Sequence, residues 1–141
     1  MSNRENITAH IVTELTALAA VKTVTREPKE ITELSPQSFP HVLIEAANET
    51  REHASFGNTV RRVSTMDVVL NGIVHGSDRD SKRNTLIAAI ESKLAEDVTL
   101  GGYAYDSEIT EIEIREIAET APYGQFAMVL QVKYFYDKGT P

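Results

Sequence analysis

The chain has 141 residues, 41% hydrophobic and 25% charged, enough for one domain with its own core and no disulfide staple. Fourteen basic residues against twenty-one acidic ones leave a formal charge of -7, a balance that argues against a dedicated DNA-backbone binder. The absence of cysteine excludes a disulfide scaffold, thiol catalysis and cysteine-ligated zinc or iron–sulfur centres. No basic-then-apolar leader opens the sequence, and no apolar run approaches the ~18 residues of a membrane span. A soluble single domain over residues 1–141 with no membrane partner is therefore expected.

In chain order, Ile7, Ile11, Leu15 and Leu18 recur at helical spacing, with Val12 and Ala19 widening the stripe. Ser2 followed by Glu5 has capping-box spacing and marks the start. Val21 to Thr25 reads as a short strand stopped near Pro28, and residues 27–38 as a solvated loop. Phe39 to Glu45 is a strand with Pro40 near its beginning. Residues 48–58 turn polar and small, and a long alternating strand follows from Val60 to Gly72. The two strands form a hairpin longer than a minimal turn requires, expected to protrude toward a neighbour.

Ser77 and Asp80 have the spacing of a second, weaker capping box, opening a helix whose stripe is Leu86, Ile87, Ile90 and Leu94. Residues 97–102 form the exit turn, and Tyr103 and Tyr105 are expected to open a short strand. Between Ile109 and Ile117 the alternation slips: Ile112 and Ile114 share a phase that Ile109 and Ile117 do not. That predicts a strand with a bulge. The last strand, Phe126 to Tyr136, is largely apolar on both faces and is expected to be central. The order α-β-β-β-α-β-β predicts an α+β fold, a mostly antiparallel β-sheet packed against two α-helices.

Chemistry-bearing groups are few. His75, Asp78 and Asp80 are the compact set that could ligate a metal, although Ser77, Asp78 and Asp80 read more simply as helix-capping residues. Gly101-Gly102 lacks a phosphate-loop continuation and reads as a turn. There is no Gly-x-Ser-x-Gly elbow, and the other histidines lack ligand spacing. No catalytic residue, cofactor or metal is expected.

Two charged patches stand out. Residues 106–119 carry Asp106, Glu108, Glu111, Glu113, Glu116 and Glu119 against Arg115, while Arg79, Lys82 and Arg83 crowd the start of the second helix. Either each is a solvated face, or each meets its complement on a neighbouring copy, where charge sets register and partner choice. With the hairpin around Arg51 to Asn58, the candidate interface residues are Arg51, Phe56, Arg79, Lys82, Arg83, Glu108, Glu111, Glu113 and Glu116.

Three segments carry a family resemblance: the helix running into a strand over Ile7 to Thr25, Phe39-Pro40-His41-Val42 leading into the long hairpin, and Ile90 to Gly102 paired with the closing Val129-Leu130-Gln131-Val132-Lys133-Tyr134. In this element order the chain resembles the tail terminator proteins of long-tailed bacteriophages, the family of the lambda-type minor tail protein U. The resemblance implies a non-enzymatic virion protein forming a hexameric ring at the head-proximal end of the tail tube. Such a ring stops tube polymerisation and offers a surface to head-completion or connector proteins. Its expected partners are its own copies, the tail tube protein and the connector, with genomic DNA passing through unbound. An acidic lumen suits that passage, because carboxylates repel phosphates. Assembly in the host cytoplasm follows. The alternatives are another head–tail joining (neck) protein, a small metal-dependent enzyme using His75, Asp78 and Asp80, and a ligand-binding regulatory domain that dimerises.

Overall fold

Helix α1 (Asn3–Thr16) starts where the capping residues place it. Ser2 is the N-cap, and its Oγ accepts the backbone N–H of Glu5 at 3.2 Å. Ile7, Ile11 and Leu15 are wholly buried. The helix stops at Thr16, so Leu18 falls in the following turn, where it still packs against the core, and Ala19 is exposed. The computed structural model describes residues 2–27, 39–53, 61–116 and 123–137. The strands are β1 (Thr23–Thr25), β2 (His41–His53), β3 (Arg61–His75), β4 (Asp106–Glu116) and β5 (Tyr123–Asp137), with helix α2 (Arg79–Ala95) between β3 and β4.

The sheet order is β1-β2-β3-β5-β4, antiparallel throughout except for the parallel β1–β2 pair. Both helices lie on one face. Their apolar stripes join Val42, Ile44, Met66, Val68, Leu70, Phe126, Met128 and Leu130 in a single core cluster. This is the expected α+β arrangement in the expected element order.

The β3–β5 ladder runs unbroken from Arg61↔Asp137 to His75↔Tyr123. Within it Gly72 faces Phe126, whose ring fills the place of the missing side chain: a Cβ on Gly72 would lie 2.1 Å from the ring's Cζ. As expected, β5 is an interior strand. Its inward residues Phe126, Met128, Leu130, Val132, Tyr134 and Tyr136 are all buried. On its other face Ala127 is buried, Val129, Gln131 and Lys133 are half-buried and Phe135 is exposed, and neither helix belongs to that side.

Three local expectations change. β2 continues through the polar residues to His53, after an irregularity between Ala46 and Glu49, because its backbone pairs with β3 whatever the side chains carry. β5 accompanies β3 to this same end, so the described hairpin arms belong to a three-stranded ribbon, and the hairpin tip, with Phe56, lies outside the described residues. Tyr103 belongs to the turn after α2, where Leu100, Gly101 and Gly102 all have positive φ. Only Tyr105, whose N–H donates to the Lys133 carbonyl, opens the following ladder.

The bulge in β4 is present, and its position is informative. The register shifts between Ile109 and Glu111. One extra residue, Thr110, turns Ile109 into phase with Ile112 and Ile114, opposite Leu130, Met128 and Phe126 on the helix-bearing side.

Candidate functional site

Among the described residues β4 ends the sheet, paired to β5 on one side only. Its helix-side residues beyond the bulge are not covered: Ile112 is 39% and Ile114 49% exposed. On its other face Asp106, Glu108, Glu111, Glu113 and Arg115 are all exposed. Arg115 donates to Glu113 at 3.1 Å, and that bond holds the Glu113 carboxyl below the usual range. The result is an edge strand with acidic residues on one side and two bare isoleucines on the other. For Glu116 only the backbone, paired with Gly124, is described.

The basic start of α2 behaves differently from the expectation. Arg83 is 4% exposed. It donates to Asp80 at 2.9 Å and to the backbone carbonyl of Arg115, on β4 of the same chain, at 3.2 Å. A guanidinium spent inside the protomer is not available to a neighbour, so Arg83 leaves the interface set. Lys82 is exposed but engaged within the chain, donating to the His75 carbonyl at 3.0 Å and pairing with Asp78 at 3.2 Å. Arg79 is half-buried.

These contacts also dissolve the expected second capping box. The N-cap is Asp78 rather than Ser77, it makes no side-chain cap bond, and Asp80 is occupied by Arg83. His75 stacks on Phe39 and lies against Tyr123, with ring centroids 5.7 and 5.0 Å away. His75, Asp78 and Asp80 do not gather as a ligand set among the described residues. Among the described residues the structure instead gathers His10, Glu14 and Asp97, whose ligand atoms lie within 4.8 Å of one another. His10 and Glu14 are four residues apart on α1, a spacing visible in the sequence; Asp97 arrives from the turn after α2.

Arg51 anchors the hairpin arm. It donates to Glu49 at 2.6 Å and lies 4.4 Å from the centroid of the Tyr136 ring. Glu49 also accepts from Arg4 at 3.0 Å and from the Tyr134 hydroxyl at 3.1 Å. Burial pushes its carboxyl up, but donation from Arg4, Arg51 and Ser64 outweighs burial and holds it at about 2. Sequence reading passed over Glu49, one charge among several in a polar stretch.

No known protein family matches the sequence, and no curated protein does. Among solved structures, the chain is similar to one from the "Virion of native gene transfer agent (GTA) particle". The two share 12% identity with a TM-score of 0.48, over 92% of this chain and 94% of that one. A likeness this distant assigns neither fold nor function.

Proposed function

We propose that the chain is a structural assembly protein of a tailed phage-like particle, without enzymatic activity. Its copies join in a hexameric ring at the head-proximal end of the tail tube, stop tube growth and present a surface to the head connector. The observation that supports this most directly is β4. An edge strand offers unpaired backbone groups to another chain, which proteins avoid exposing without a partner. Exposed Ile112 and Ile114 add apolar area to that edge, and the carboxylates beside them restrict which surface can dock. The segmental resemblance to tail terminators favours that assembly among phage-like ones, and the acidic balance suits a passage through which DNA slides.

Since Arg83 is internal, the neighbour's cations must come from elsewhere, with Arg79 and Lys82 the remaining basic candidates of that patch. The decisive experiment images the protein by electron microscopy after mixing with assembled tail tubes of its own particle. Added density at one end only, with arrested elongation, is the expected outcome. An Ile112→Lys/Ile114→Lys double variant that stays folded should lose it. Bare tube ends with the unaltered protein would refute the reading. Arrest of tube growth also separates a terminator from a neck protein of similar build.

A further inference from the structure

We propose that His10, Glu14 and Asp97 form a binding site for one divalent transition-metal ion of the zinc class, clipping α1 to the turn that follows α2. The inference is independent of ring assembly.

The distances fit such an ion. His10 Nε2 lies 3.2 Å from Glu14 Oε1 and 3.6 Å from Asp97 Oδ2. Zinc holds imidazole nitrogen and carboxylate oxygen at about 2.0–2.2 Å, which sets neighbouring ligands in a tetrahedron roughly 3.4 Å apart. One imidazole and two carboxylates, with no thiolate, is a donor set for zinc or its borderline neighbours rather than for copper(I).

A second observation comes from the other oxygen of Glu14. Oε2 is buried and has no hydrogen-bond partner among the described residues. A buried carboxylate oxygen left unsatisfied is costly, and a cation beside it relieves that cost. The ligands are also held in place. Asp97 Oδ1 accepts from the Thr99 N–H at 3.2 Å and the Thr99 hydroxyl at 2.7 Å, and Oδ2 accepts from the Gly101 N–H at 2.8 Å. Oδ1 is taken up by its two donors, whereas Oδ2, the oxygen facing His10, has one donor and keeps a lone pair for a metal, so these bonds orient the carboxylate and leave its ligand atom available. Gly101, at φ +74°, packs close against the imidazole: a Cβ there would come within 2.9 Å of His10 Cε1 and Nδ1. The site is partly open, with His10 25% and Asp97 36% exposed, which leaves an entry path and room for a water as fourth ligand.

The rival arrangement is a protonated His10 bridging two carboxylates with no metal. Calorimetric titration of the chelator-treated protein with Zn²⁺ separates the two. One ion per chain with a Kd below roughly 10 μM is expected, with Co²⁺ giving the intense visible absorption of a tetrahedral site. His10→Gln and Glu14→Gln, tested singly with folding checked by circular dichroism, should each weaken Zn²⁺ binding at least about tenfold, while His75→Gln leaves it unchanged. No saturable uptake by the unaltered protein overturns the proposal. So does uptake that survives both single substitutions.

Discussion

Glu49-Thr50-Arg51 on β2 and Glu113-Ile114-Arg115 on β4 are one pattern used twice, a glutamate with an arginine two residues along the same strand. In each the arginine reaches back to the glutamate, at 2.6 and 3.1 Å. The Glu49 side chain is 8% exposed and that of Glu113 53%. Glu49 also receives Arg4 from α1 and Tyr134 from β5, whereas Glu113 has solvent around it. The local motif is therefore not the interaction. What makes Glu49 a structural joint is burial together with donors brought from two other elements, and that joint ties α1 to the base of the hairpin.

The comparison is broken most severely at Glu49. Glu49→Ala leaves Arg4, Arg51 and the Tyr134 hydroxyl without their acceptor. The expected loss is about 2 kcal/mol in urea denaturation, below the 3–5 of fully buried pairs because both arginines reach solvent. A loss under about 0.5 kcal/mol would place Glu49 among ordinary surface ion pairs.

A titration sharpens the same point. The folded-state pKa of Glu49 is about 2, against an ordinary 4.5. Its contribution is therefore complete above about pH 5 and lost as pH falls from there toward 2. Denaturation midpoints measured across that window should fall more steeply for the unaltered protein than for Glu49→Gln. Next in size is Tyr134→Phe, which removes one donor from a wholly buried ring and is expected to cost about 1 kcal/mol. The smallest effects belong to β4. Glu113→Gln and Arg115→Ala should leave the urea midpoint of the isolated chain unchanged, since the carbonyl of Arg115 still accepts Arg83. A clear shift in either would erase the distinction between the two pairs.

Periodic and local features were legible in the sequence. The Ile7, Ile11 and Leu15 stripe, the Ser2 cap and the slip between Ile109 and Ile112 each depend on neighbours a few residues away, and each is present. Features that depend on distant partners were not. The polar stretch 48–53 becomes strand because β3 lies alongside it. Asp80 is drawn from capping by Arg83, which is itself pulled inward toward β4. The candidate site divides the same way: the acidic strand could be read directly, but the use of Arg83 within the chain could not. His10 meets Asp97 only because α1 packs near the turn after α2.

The pairing of Gly72 with Phe126 has a consequence for how the chain finds its structure. The smallest misalignment that preserves the inner and outer faces is a slide of two residues. Such a slide sets Phe126 against Leu70 or Val74, whose side chains occupy the space that its ring needs. A single aromatic plug and a single missing methyl thus act as lock and key for the longest pairing in the sheet, penalising the alignments that would displace them.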